Sequence, residues 1–208
     1  MLYNSRKTID TVIINDKFAY SNESVILHGV TYPISEIKEI GFSTLKTKIN
    51  LVPTGTSYNF ILIMDDEANV VINNSLGFFT KKMINKLGHA YTYLKQTSSK
   101  DRYNKYLEDM NSQGYFEYNS GFSKSQFYSN GDIVKRNKRI NIKKAQKEGF
   151  IWYGTARGIP GAQHYSTNPT QVTISESKRK YFNSKKISID FPTNSDVLFS
   201  IIKKLAYD

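Results

Sequence analysis

The chain carries an imperfect copy of itself. Tyr20-Ser21-Asn22 returns as Tyr128-Ser129-Asn130, and Gly41-Phe42 returns as Gly149-Phe150, both displaced by 108 positions with no gap between them. Inside that frame Val25-Ile26 falls on Ile133-Val134 and Ile34 on Ile142, and the polar turn around Gly29 falls on a turn around Asn137. A chain of 208 residues with such a frame is expected to hold two small copies of one fold rather than one large domain.

The order of elements supports two copies. In the first, Lys17–Tyr20 and Ser24–His28 read as strands, Ile34–Phe42 continues with mixed alternation, and Tyr58–Met64 is a strong strand rich in Phe and Ile. Asp65-Asp66-Glu67-Ala68-Asn69 is a polar turn, and Val70-Val71-Ile72 returns from it. Thr80 then caps a helix with Ile84, Leu87, Tyr91 and Leu94 on one face. In the second copy, Gln126–Ser129, Ile133–Lys135, Arg139–Lys143, Phe150–Tyr153 and Gln171–Ile174 are strand segments. Ser177-Lys178-Arg179-Lys180 reads as a turn, and Lys186–Phe191 alternates with Ile187, Ile189 and Phe191 on one face. Thr193-Asn194-Ser195-Asp196 resembles a capping box, and Leu198, Ile201, Ile202 and Leu205 give an amphipathic helix. Between the copies, Ser98 or Ser99 caps a further helix carrying Tyr103, Tyr106, Leu107 and Met110, which Gly114 ends. Its apolar stripe predicts that it packs between the domains.

Antiparallel strands closed by one amphipathic helix are the layout of a pleckstrin-homology-like (PH-like) barrel, in which the helix plugs the open end of a strongly bent sheet. The run Phe18–Phe42 resembles the first strands of bacterial PH-like domains, with a strand, a turn at Gly29 and the segment Ile34-Ser35-Glu36-Ile37 entering the next strand. The resemblance spans roughly residues 12–95 and, more loosely, 115–208. It implies an α+β chain of two PH-like barrels or half-barrels: domain 1 over 12–96, a helical linker over 97–114, and domain 2 over 115–208. The Gly/Pro-rich loop 154–169 of domain 2 has no counterpart in domain 1.

Composition narrows the chemistry. Without cysteine there is no disulfide, thiolate metal site or thiol nucleophile. Met1–Lys7 runs into Asp10 without an apolar leader, and the apolar run Phe60–Met64 is too short to span a bilayer, so the expectation is a soluble cytoplasmic protein. His28, His89 and His164 lie far apart, and neither a Gly-x-Ser-x-Gly elbow nor a zinc spacing occurs. Asp65-Asp66-Glu67 lacks the ligand spacing of a calcium loop, and Glu36-Ile37-Lys38 lacks the preceding acid of a nuclease motif. The reading is therefore non-enzymatic, with no catalytic residues, metal or cofactor, and a small nuclease as a remote alternative.

Charge then points to partners. Residues 1–113 hold 13 Lys/Arg against 11 Asp/Glu, whereas residues 114–208 hold 16 against 7. The excess clusters at Lys135, Arg136, Lys138 and Arg139, at Lys143 and Lys144, at Lys178, Arg179 and Lys180, and at Lys185 and Lys186. The PH-like resemblance implies that a basic first hairpin can serve acidic head groups, and Lys135–Arg139 is assigned to that hairpin. Trp152 can stack or anchor, and Arg157 lies in the Gly-rich stretch Gly154–Gly161, a loop able to bind a partner. Two functions follow as expectations: a scaffold that binds a protein through tandem domains, or an anion-binding second domain acting on nucleic acid or an anionic membrane.

Overall fold

A computed structural model describes residues 11–49, 52–74, 80–120, 123–154, 162–164, 171–177 and 186–207, without the side chains of 45–49, 52–55, 74, 80, 120 and 162–164. The first half opens with an antiparallel meander of β1 (Val12–Asn15), β2 (Phe18–Tyr20), β3 (Ser24–Leu27) and β4 (Val30–Pro33). A two-residue turn joins β3 to β4, with His28 at φ 51° and Gly29 at φ 83°, the doubly left-handed backbone that suits a twisted hairpin. A 3-10 turn at Ile34–Glu36 leads into a second meander of β5 (Ile37–Ile49), β6 (Val52–Met64) and β7 (Asn69–Asn74). Helix α1 (Thr80–Gln113) follows.

The second half repeats this order. Strands β8 (Tyr115–Ser120), β9 (Ser123–Tyr128), β10 (Asp132–Lys135) and β11 (Lys138–Asn141) form a four-stranded meander. Helix α2 (Ile142–Glu148) leads to β12 (Phe150–Gly154), β14 (Gln171–Ser175) and β15 (Lys186–Asp190), and α3 (Ser195–Tyr207) closes the half. A short β13 (Ala162–His164) is inserted between β12 and β14.

The repeat frame holds where the register can be compared. Leu27 pairs with Val30 and Ser24 with Pro33; 108 positions on, Lys135 pairs with Lys138 and Asp132 with Asn141. His28 and Arg136 share the left-handed conformation, Arg136 at φ 54°. The frame fails after Ile34 and Ile142. The first half spends three residues on its 3-10 turn, the second a seven-residue helix. Gly41 therefore lies inside β5 whereas Gly149 caps α2, so the matching Gly-Phe pairs are not equivalent positions.

Several expectations are corrected. Arg139–Lys143 is not one strand: β11 stops at Asn141, whose side chain accepts the Lys144 N–H and starts α2. Only Ile142 and Ala145 of that helix are buried, too short a stripe to stand out among its lysines. Lys135–Arg139 is not the first hairpin of its half but the third, since β8 and β9 precede β10. The linker assigned to 97–114 is not a separate element, because α1 runs unbroken through it.

The continuity of α1 has a simple geometry. Leu87, Leu94, Ser98, Arg102, Tyr106 and Met110 form a stripe at mostly four-residue steps. At about 100° per residue, the stripe turns by roughly 140° between Leu87 and Met110. Its start, with Leu87, Ala90 and Leu94, therefore faces the first core around Phe18, Val25, Phe60 and Leu62. Its end, with Tyr106 and Met110, faces the second core around Phe116, Phe127, Ile174 and Ile201. Ser98 does not cap a new helix; its Oγ donates to the Leu94 carbonyl within α1, at 2.7 Å.

Where the stripe passes from one core to the other it becomes polar, and a buried network joins the halves. The Arg102 side chain, 1% exposed, uses all five N–H groups. Nε donates to Ser98 Oγ at 2.9 Å, Nη1 to Asn194 Oδ1 and Asp196 Oδ1 at 2.8 and 3.2 Å, and Nη2 to the Lys95 carbonyl and Asp196 Oδ2 at 2.8 and 3.1 Å. Asn194, in the left-handed region at φ 51°, also serves the edge of β5. Its Oδ1 accepts from the Ile40 N–H at 3.1 Å, its own N–H donates to the Ile40 carbonyl, and its Nδ2 donates to the Lys38 carbonyl and Tyr106. Thr193 donates to Glu39 at 2.7 Å and exchanges hydrogen bonds with Tyr118. The expected capping box is thus spent on the other half. Gly41 permits the approach, since a Cβ there would lie 2.3 Å from the Pro192 carbonyl oxygen.

Further along the same edge, β13 pairs with β5, with Gln163 opposite Lys46, so the second half adds a strand to the first half's sheet, in the order β13-β5-β6-β7. The described chain is mixed α+β, with four antiparallel sheets, none closed into a barrel, and three α-helices. None of those helices is long and apolar enough to cross a membrane. Replacing Arg102 by Met strands Asp196 and Asn194 in the joint between halves. The expected loss, read by urea unfolding, is about 3–5 kcal/mol, the scale for breaking a buried charge pair from one side.

Candidate functional site

The alternation that builds the second core also places its lysines. On β10 and β11, Ile133 and Ile140 are fully buried, and the next inward positions toward the turn are Lys135 and Lys138. Two cations therefore lie across from each other at the rim of an apolar interior, an arrangement that repels unless each finds an acceptor. Each finds one on β15. Lys135 Nζ donates to the Ser188 carbonyl at 2.6 Å and Lys138 Nζ to the Lys186 carbonyl at 3.4 Å. Burial, together with nearby Arg136, holds the Lys135 ammonium below the usual lysine range against the pull of Asp190.

β15 ends its sheet, in the order β12-β14-β15, and β11 ends the other. Between them opens a groove of about 440 Å³ lined by Lys135, Arg136, Asn137, Lys138, Lys186, Ile187 and Ser188. Four of those seven residues are cations and none is acidic. Arg136 at the turn makes no hydrogen bond or ion pair among the described residues, and its side chain is exposed. The first half differs at each matching position: Leu27 is buried where Lys135 stands, Val30 is exposed where Lys138 stands, and His28 reaches the Asn69 carbonyl of β7 at 3.3 Å.

Of the remaining expected residues, those that are described do not converge on this groove. Arg139 points to the opposite face, where it pairs with Asp132 at 2.5 Å and stacks over Tyr128 at 5.8 Å. Lys143 and Lys144 ride on α2, and Lys144 approaches Glu176 at 3.9 Å. Trp152 lies on the edge strand β12, 49% exposed, with its ring covering Gly154, where a Cβ would overlap the indole. Arg157, Lys178, Arg179 and Lys180 fall outside the described residues, as does most of the loop 154–169.

Two groups of importance carried little signal. Lys186 reads as half of the basic pair Lys185-Lys186, but nothing in the pattern puts it beside Lys135 and Lys138 on one groove rim. Arg102 and Asn194 could have been found as polar residues on apolar stripes, Arg102 four residues from both Ser98 and Tyr106. The acidic turn Asp65-Asp66-Glu67 is occupied locally: Lys105 meets Asp65, Lys38 meets Glu67, and Asp66 accepts the Ala68 N–H. Among the described residues no group of three or more His, Cys, Asp or Glu could hold a metal ion.

Asp132 anchors the base of the hairpin. Burial alone would raise its carboxyl, but hydrogen bonds from Asn141, Arg139 and Asn130 outweigh it and hold the group below the usual carboxylate range. A depressed folded value adds stability above the unfolded value, about 3.9, and that stability is lost as pH falls through the folded value. Asp132→Ala should therefore cost about 2 kcal/mol at neutral pH, the scale of a lost charge-assisted hydrogen bond. In thermal unfolding at stepped pH, the gap from the parent chain should close below pH ~4.

Compared with known proteins, the chain matches no family model, no curated protein and no solved structure.

Proposed function

We propose that the chain is a non-catalytic interaction protein made of two PH-like halves, and that it binds a protein partner through the groove of the second half. The order of elements supports the PH-like reading: four strands in a meander, three in a second meander and a closing helix, in both halves. One observation carries the choice of surface. The outer edge of β5 is filled by the chain itself, through Asn194 and β13, whereas among the described residues β15 ends its sheet beside a cation-lined groove. Strand edges next to grooves are where proteins take up extended segments of other proteins.

A second reading, anion binding to nucleic acid or an anionic membrane, draws support from the described lining, whose charged residues are all cations. Against it, Lys135, Lys138 and Arg139 already engage internal acceptors, leaving Arg136 and Lys186 as the rim cations without ion pairs among the described residues. Phosphate binding would show a steep loss of affinity between ~50 and ~200 mM salt.

The test is capture of partners by the immobilised full chain and by the double variant Arg136→Glu, Lys186→Glu. Both side chains are exposed, so the fold should survive. The expected outcome is a set of proteins retained by the parent and lost by the variant. Nucleic acid or vesicles retained in their place, with the salt dependence above, would favour the second reading.

A further inference from the structure

We infer, resting on that reading, that the groove accepts an extended acidic peptide that adds as a strand to the outer edge of β15. Three features converge on this occupant. First, the backbone of β15 alternates. Ile187 and Ile189 lie opposite Ile174 and Val172 with their side chains in the core, while the carbonyls of Lys186 and Ser188 face away from β14 toward the groove. Second, among the described residues those two carbonyls are held by lysine ammonium groups and not by a neighbouring strand. Lysine is a common guard of an exposed strand edge. Nζ of Lys135 and Nζ of Lys138 stand where the N–H groups of an added strand would donate.

Third, the exchange is chemically matched. When an incoming strand donates its N–H groups to Lys186 O and Ser188 O, two ammonium groups lose their acceptors at a half-buried rim. Carboxylates on alternate residues of that strand would take them up, with Arg136 and Lys186 adding charge at the mouth. Valine on the other alternate residues would supply strand propensity. The five residues of β15 set the length of the strand that can pair. The first half lacks this device, since Leu27 and Val30 replace the two lysines.

The probe is a short synthetic peptide alternating Glu and Val, titrated into the full-length protein by fluorescence anisotropy. Its comparators are the Lys-Val peptide, a Glu-Val peptide N-methylated on alternate residues, single-stranded DNA and phosphatidylserine vesicles. The expected result is that the acidic peptide binds at least about tenfold tighter than the basic one, and that N-methylation costs it about tenfold, as loss of two or more backbone hydrogen bonds should. Amide exchange at Lys186 and Ser188 should slow in the complex, and Arg136→Glu or Lys186→Glu should weaken it while leaving thermal unfolding unchanged. Equal binding by the N-methylated peptide would reduce the effect to charge attraction and overturn the inference. So would binding of DNA or vesicles without the peptide, or protection on another strand. If the peptide fails while partner capture still depends on Arg136 and Lys186, the acidic-strand inference falls alone. If capture does not depend on them either, the choice of the groove falls with it.

Discussion

A buried guanidinium tolerates no unpaired N–H, and that requirement at Arg102 organises the joint between the halves. Removing an arginine from water is costly unless every donor is met and a counter-charge lies close. Here the five donors are met by groups from α1 itself, Asn194 and the Asp196 carboxylate. Asn194 must therefore be at the start of α3, in the left-handed backbone that asparagine accepts more readily than most residues. Once there, it also serves Ile40 and Lys38 on β5 and Tyr106 on α1. Burial raises the Tyr106 hydroxyl well above its ordinary value, so it remains a neutral hydrogen-bonding group at physiological pH. The network is polar, fully paired and shared by both halves, which makes it a determinant of their relative placement as much as of stability.

Around that joint the halves have diverged at corresponding positions. The hairpin β3–β4 closes over its core with Leu27; β10–β11 keeps the same register and turn but places Lys135 there. The first half thus seals the gap between its two sheets with apolar side chains and one His28 contact, while the second leaves a groove bridged by lysines. Among the described residues, the β5 edge of the first half receives Asn194 and β13, while β15 of the second half ends its sheet beside the groove.

Much of this was legible from residue patterns, and the exceptions share a cause. The clear strands were those with alternation or aromatic density, such as Tyr58–Met64 and Lys186–Phe191, because one-sided burial imposes a period of two. The repeat frame was legible through the β3–β4 hairpin and became misleading at Gly41 and Gly149, where a dipeptide match masked a difference of one helix. Helix α1 read as two helices because its stripe turns polar at Ser98 and Arg102, and local pattern could not show that those side chains pair across the joint. Helix α2 was missed because only two of its residues face inward. Of the basic cluster, the sequence showed the charges but not their direction: Lys135, Arg136 and Lys138 reach one groove, Arg139 turns to the other face, and Lys186 joins from a distant strand.

The borrowed strand β13 and the Asn194 contact have a consequence for synthesis. The chain is made from its N-terminus, so β1 to β7 emerge long before residues 162–164 and 194 exist. During that interval the nascent first half presents the edge of β5, from Lys38 through Thr47, with its partners still untranslated. An unpaired edge of this kind is a template for pairing with other chains. The extra residue that interrupts β5 near Lys38 breaks the regularity such pairing needs, and the register shift opposite Thr47 and Lys48, on the facing strand β6, bends the pair further. The first half is finished from downstream, and its sequence carries the means to wait.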